Sequence, residues 1–95
     1  MILNFGDIET LELEDIIAET IAVKKLIVYN DEVNTFEHVI ETLIEVCGHT
    51  QEQAEQCTWI IHFNGKYAVK MGSFDDLLPM RTAICDRGIS AEIMD

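Results

Sequence analysis

A change of hydrophobic period between residues 26 and 39 is the strongest constraint on how this chain can fold. Residues 24–29 form a short run with β-branched side chains, which predicts a strand. Apolar side chains then recur every three or four residues, which predicts a helix with one buried face: Phe36, Val39, Ile40, Leu43, Ile44 and Cys47. The polar turn between the two, residues 30–35, lies where the strand ends and the helix begins.

Capping signals predict a second helix after the first. Gly48 suits the left-handed residue that ends a helix. Thr50 with Gln53 three residues later forms a capping-box pattern, which predicts a new helix start. The Asn64-Gly65 pair is a strong turn signal, and residues 66–71 after it are typical of a strand.

The last third of the chain predicts a third helix and a third strand. Ser73 can cap the helix, while Pro79 lies beyond its first turn and should kink it or shift its start. Residues 89–94 alternate and predict a final strand. The predicted fold is therefore α+β, a small three-stranded antiparallel sheet with three helices packed on one face, in the order β-α-α-β-α-β.

Length and charge divide the chain and exclude some partners. Ninety-five residues suit one domain. We divide it into an acidic N-terminal arm (1–23, with six acidic and no basic residues), which is either flexible or a short helix, and a core domain (24–95). The net charge of −12 argues against nucleic acid as a ligand and suits a cationic ligand.

No apolar run approaches the roughly 18 residues of a membrane span, and no secretory signal is evident, so we expect a cytoplasmic protein that binds no membrane.

Neither the cysteines nor any short motif indicates an enzyme. The three cysteines, Cys47, Cys57 and Cys85, form no Cys-x-x-Cys pair, so we interpret them as buried, reduced thiols rather than as zinc ligands or a redox pair. The sequence contains no glycine-rich phosphate loop and no nucleophile elbow. We therefore expect no catalytic activity, no metal and no cofactor.

The remaining candidate for a binding site is the turn after the first strand. Asn30, Asp31 and Glu32 lie there, and His62 lies at the end of the second predicted helix. Together they could hold a positively charged ligand. A purely structural interpretation competes with this one, because Asn and Asp are common turn residues and a lone His beside Ile60 and Ile61 is usually a satisfied core residue.

Two sequence blocks resemble the ClpS adaptor proteins. The first is Tyr29-Asn30-Asp31-Glu32 followed by Thr35-Phe36-Glu37-x-Val39-Ile40, and the second is Ile61-His62-Phe63-x-Gly65-Lys66. The interval between the turn and the histidine matches without a gap, and the resemblance extends from about residue 26 to residue 93. Each block alone is weak evidence, but the two together are specific.

The resemblance implies a function for both blocks. ClpS-like adaptors bind proteins that begin with a large hydrophobic residue (Phe, Leu, Tyr or Trp) and deliver them to a ClpA- or ClpC-like AAA+ unfoldase for proteolysis. By matching position, the substrate's α-amino group would contact Asn30, Asp31 or Glu32, and His62. The pocket for the first side chain would be formed by Phe36, Val39, Thr58, Ile61 and Ile89. The alternative is a non-catalytic module of the same fold that binds an internal peptide or another subunit.

The sequence departs from the family pattern at three of these positions. Glu32 stands where the family usually has a second Asp, so either Asp31 or Glu32 could contact the amine. Phe36 replaces a frequent Met that restricts the pocket against β-branched residues. Thr58 replaces a larger apolar residue, which predicts a roomier or more polar pocket.

Overall fold

The computed structural model describes residues 22–95 and has the predicted order of elements. The strands are β1 (Lys24–Tyr29), β2 (Lys66–Gly72) and β3 (Ala91–Met94), and the helices are α1 (Phe36–Cys47), α2 (Gln51–Asn64) and α3 (Phe74–Asp86). The strands form one antiparallel sheet in the order β2-β1-β3. The predicted α+β fold is confirmed. Of the predicted arm, residues 1–21 lie outside the described range.

The central strand β1 explains why the helices cover one face of the sheet. Its side chains alternate, so Leu26 and Val28 are buried while Lys25 faces solvent. Leu26 and Val28 meet a core supplied by the helices, in which Leu43, Leu77 and Ile84 are almost completely buried. The apolar periods read from the sequence therefore converge on a single core.

The predicted caps fix the ends of the first two helices. Thr35 accepts a hydrogen bond from the backbone N–H of His38 at the start of α1, and Gly48 ends this helix in the left-handed conformation (φ 74°). Thr50 and Gln53 form both hydrogen bonds of a capping box at the start of α2. These two helices place residues 36 and 62 at neighbouring ends of an antiparallel pair.

The third helix begins at its predicted cap and continues through a proline. The Ser73 side chain caps the helix by accepting a hydrogen bond from the backbone N–H of Asp76. The helix starts at Phe74 and includes Pro79, so the proline does not shift the start of the helix. The carbonyl that Pro79 leaves without a donor belongs to exposed Asp75, where water can satisfy it. Phe74 and Leu78 on this helix are 48% and 41% exposed, whereas Leu77 and Ile84 lie in the core.

Cys47 and Cys57 are buried free thiols as expected, whereas Cys85 is only half-buried. Burial raises the pKa of the Cys47 thiol to about 11, so this group stays protonated and unreactive near neutral pH.

Over residues 22–95, no helix combines the length and the apolar character needed to cross a membrane.

Candidate functional site

A cavity of about 330 Å³ opens where β1 ends, between the start of α1 and the end of α2. One side, the loop wall, consists of the polar residues of the turn, namely Asn30, Asp31, Glu32, Asn34 and Thr35. The other side, the helix wall, is contributed by α1 and α2 and consists of Phe36, Val39, Thr58, Ile61 and His62. Its volume is at the lower end of the range for small-molecule sites, which suits one side chain better than a large ligand.

Asp31 is the structural anchor of the loop wall. Its carboxylate accepts hydrogen bonds from the backbone N–H groups of Val33 (2.8 Å) and Asn34 (2.7 Å), and from the side-chain amide of Asn34 (2.7 Å). The bond from the Asn34 backbone is the main reason why the pKa of Asp31 is lowered below its ordinary value. The carboxylate therefore stays charged and is occupied by the turn it closes.

The loop wall is tied to the rest of the fold by hydrogen bonds at both ends. The backbone N–H of Asn30 donates to the carbonyl of Gly65 (2.8 Å), directly after α2. The side-chain amide of Asn34 donates to the carbonyl of Gly88 (2.9 Å), in the turn between α3 and β3. These contacts hold the loop close to the end of α2, where His62 is located.

Asn30 and Glu32 are arranged differently from Asp31. Both are exposed, and within residues 22–95 the side-chain hydrogen bonds of this turn involve Asp31, Asn34 and Thr35 rather than these two residues. Both line the cavity, as does the exposed side chain of His62. An amide, a carboxylate and an imidazole thus border the cavity without engagement in the loop's own network, and each offers an acceptor to a cationic donor.

The floor of the helix wall is apolar except for one satisfied hydroxyl. Ile61 and Thr58 are each only 3% exposed. The Thr58 hydroxyl donates to the carbonyl of Ala54 one turn earlier (2.8 Å), so it needs no partner in the cavity. Thr58 therefore contributes mainly a small side chain to the cavity wall. Its hydroxyl adds little of the polarity that was expected from the sequence.

A cluster of aromatic rings forms the outer edge of the helix wall. The Phe36 ring lies edge-on to His62 (centroids 5.1 Å apart) and to Trp59 (4.8 Å). Trp59 stacks in turn on Phe63 (5.3 Å, 13° between planes). The sequence reasoning missed this cluster. The available signal was the spacing of the two aromatic residues, which lie four positions apart in the predicted second helix and so share one face of it.

The structure brings together eight of the nine predicted site residues, namely Asn30, Asp31, Glu32, Phe36, Val39, Thr58, Ile61 and His62. Ile89 is the exception. It is 3% exposed and does not line the cavity, because its side chain is packed within the main core. The cavity is also lined by Tyr29, Asn34 and Thr35, which had not been predicted.

The described residues contain no further grouping that suggests metal chemistry. Among residues 22–95, no three side chains of His, Cys, Asp or Glu lie together as potential metal ligands. The cavity is thus best understood from its own polar and apolar walls.

Comparison with known proteins assigns the chain to a family. Residues 22–90 match the family model described as ATP-dependent Clp protease adaptor protein ClpS, so the chain belongs to the ClpS family. This family is one of adaptors rather than catalysts. A search among curated proteins finds no match.

A solved structure supports the fold independently. It is that of Agrobacterium tumefaciens ClpS2 bound to L-phenylalaninamide, with a TM-score of 0.63 and 15% identity. The similarity covers 75% of this chain and 93% of that chain. At this identity the likeness establishes the shared fold, and the residues of the cavity must be interpreted from their own chemistry.

Proposed function

We propose that this protein is an adaptor that binds proteins through a free N-terminal Phe, Leu, Tyr or Trp and delivers them to a Clp-type AAA+ unfoldase. One observation carries the proposal: acceptors for an ammonium group and an apolar pocket border the same small cavity. A chain start with a large apolar side chain is a ligand that needs both. The ligand named for the related Agrobacterium ClpS2, L-phenylalaninamide, also has a free α-amino group beside an aromatic side chain.

Glu32 is the better candidate for the carboxylate that contacts the amine. The carboxylate of Asp31 already accepts three hydrogen bonds from its own turn. Glu32 is exposed on the cavity's edge, and its extra methylene gives it reach. Charge-assisted hydrogen bonds are roughly twice as strong as neutral ones, so this contact would select the free amine.

Asn30 and His62 would complete the amine site from opposite sides. An ammonium group carries three N–H donors, which match one acceptor each from Asn30, Glu32 and His62. The backbone bond from Asn30 to Gly65 holds this residue beside the end of α2, and the Phe36 ring supports the His62 ring. His62 can accept such a bond only when its imidazole is neutral.

The first side chain of the substrate would occupy the helix wall. Val39, Thr58 and Ile61 form a compact apolar floor, and Phe36 stands at the mouth. Full burial of a Leu or Phe side chain contributes about 1.5–3 kcal/mol. A branch at Cβ would meet the rigid Phe36 ring, so Val and Ile should bind more weakly than Leu.

Calorimetry with short peptides tests the proposal directly. A peptide beginning with Phe or Leu should bind with micromolar or lower Kd, one beginning with Val should bind more weakly, and the Phe peptide with an acetylated terminus should not bind. Equal binding of free and acetylated peptides would reject the amine site. It would favour instead a module that binds an internal peptide or another subunit.

The role of His62 is tested by substitution. The His62→Ala variant should bind the Phe peptide more weakly than the parent, because the ammonium group loses one of its acceptors. An unchanged affinity in the variant would remove His62 from the site.

Delivery requires a separate assay because the cavity explains capture alone. A folded reporter that begins with Phe should be degraded by a ClpA- or ClpC-like unfoldase with its peptidase faster when this protein is added. The same reporter with a Glu32→Gln adaptor should be degraded more slowly. Peptide binding without any stimulation by either unfoldase would leave capture intact and reject delivery to these partners. We also propose that this activity takes place in the cytoplasm, in line with membership of the ClpS family.

A further inference from the structure

Two exposed aromatic residues on α2 form a flat surface beside the cavity, which we call the aromatic shelf. It consists of Trp59, 50% exposed, and Phe63, 74% exposed, whose rings are nearly parallel with centroids 5.3 Å apart. Neither residue lines the cavity. So much aromatic surface on one helix turn is available for contact with a ligand.

The aromatic shelf is continuous with the cavity through two shared neighbours. Phe36 lies 4.8 Å from Trp59, and His62 lies 5.2 Å from Phe63 and 6.3 Å from Trp59, all between ring centroids. Phe36 and His62 also line the cavity. These two rings contact each other (centroids 5.1 Å apart), so a peptide that leaves the cavity across their outer edges reaches the shelf directly.

We propose that the aromatic shelf binds the third residue of the substrate and favours a large apolar or aromatic side chain there. This inference rests on the proposed function, which places the first side chain in the cavity. In an extended peptide, residues one and three point to the same side, about 6.6 Å apart. Phe36 borders the cavity that would hold the first side chain and lies 4.8 Å from Trp59, so the third side chain is within reach of the shelf.

The same alternation assigns a different environment to the second residue. Its side chain points to the opposite side of the extended peptide, away from cavity and shelf. The adaptor should therefore be selective at positions one and three and tolerant at position two. This positional pattern distinguishes specific binding at the shelf from nonspecific binding of apolar peptides.

Calorimetry with two peptide series tests the pattern. The peptides Phe-Ala-X and Phe-X-Ala, each followed by the same Gly-Ser-Gly tail, are compared for X = Ala, Leu and Trp. In Phe-Ala-X, Leu and Trp should lower Kd about fivefold relative to Ala, because the shelf covers only part of each side chain. In Phe-X-Ala, the same changes should alter Kd less than twofold.

Phe63→Ala tests the shelf without a direct change to the cavity. The variant should bind Phe-Ala-Ala with unchanged affinity and should lose most of the gain for Leu and Trp at position three. Phe74→Ala is the matched control, since it removes a 48% exposed phenylalanine from α3 and leaves the shelf intact. The control should retain the full preference, and circular dichroism should give both variants the spectrum of the parent.

Distinct outcomes separate this inference from the proposed function. If Phe-Ala-Ala fails to bind, or binds equally when acetylated, the proposed function is wrong and the inference fails with it. If it binds through its free amine but position three has no preference, the shelf inference alone is wrong. Self-association in sedimentation that Phe63→Ala abolishes, with peptide affinities unchanged, would assign the shelf to contact between two copies and would also overturn the inference.

Discussion

The two walls of the cavity are built by different physical means. The loop wall is held by hydrogen bonds, three of which end on the Asp31 carboxylate. The helix wall is held by packing, with Thr58 and Ile61 fixed in the core and Phe36 set among aromatic rings. Hydrogen bonds fix directions, and packing fixes volume. The loop wall therefore suits the recognition of a charged group, and the helix wall suits the recognition of a shape.

Loss of a charge from the loop wall should reduce peptide affinity and leave the stability of the fold unchanged. Glu32→Gln keeps the size of the side chain and removes its charge. Because Glu32 is exposed and outside the turn's network, the free energy of unfolding should not change. Affinity for a Phe-initiated peptide should fall about tenfold to hundredfold, the effect of one hydrogen bond to a charged group.

Calorimetry and urea unfolding on the same preparation measure the two quantities. Glu52→Gln, an exposed residue at the other end of α2, provides a control for the change in net charge. A large change in stability with Glu32→Gln would contradict the separation of roles in the loop.

Phe36→Ala tests shape recognition by the helix wall. The variant removes the ring at the mouth of the cavity, together with its contacts to Trp59 and His62. Affinity for a Phe-initiated peptide should fall about tenfold through lost contact area. The ratio of affinities for Leu- and Val-initiated peptides should shrink, because the steric restriction at Cβ is removed. An unchanged ratio would show that Phe36 does not set this selectivity.

Asp31→Ala should lower the free energy of unfolding more than it lowers peptide affinity. The variant leaves two backbone N–H groups of the turn without their acceptor, and we expect a loss of about 1 kcal/mol in the free energy of unfolding because the site is partly exposed to water. Because the folded state lowers the pKa of Asp31, its stabilisation is complete above about pH 5 and is lost as the pH falls through the lowered pKa.

Urea unfolding at several pH values measures this dependence. The difference in stability between parent and Asp31→Ala should therefore be largest near pH 6 and should shrink toward pH 2. A difference that stays constant over this range would mean that the charge of Asp31 does not stabilise the turn.

Thr58→Val should give the smallest effect of the four. The hydroxyl is satisfied by Ala54 within the helix, so its replacement by a methyl group should change affinity for Leu-initiated peptides less than threefold, toward tighter binding. Calorimetry with Leu- and Tyr-initiated peptides gives the measurement. A strong loss for the Tyr peptide would indicate that the Thr58 hydroxyl contacts ligand.

Much of the site could be predicted because its residues carry strong local signals. The predicted end of the first strand and the predicted helix cap located residues 30–35 directly before α1. The ungapped match to the ClpS pattern located His62 at the end of α2. Ile89 was misplaced because position after a helix does not indicate which side of the sheet a side chain will reach. The aromatic shelf was missed because helical period distinguishes buried from polar faces but does not report ring contacts between two helices.

Local chemistry in the sequence determined the order of elements, the caps and the family of this protein. Hydrophobic period and capping act over a few residues, so they can be read without a fold. Only the tertiary structure decided which carboxylate of the turn is free. Asp31 and Glu32 are adjacent and chemically alike, but the folded turn directs its own N–H groups onto Asp31 and leaves Glu32 at the edge of the cavity.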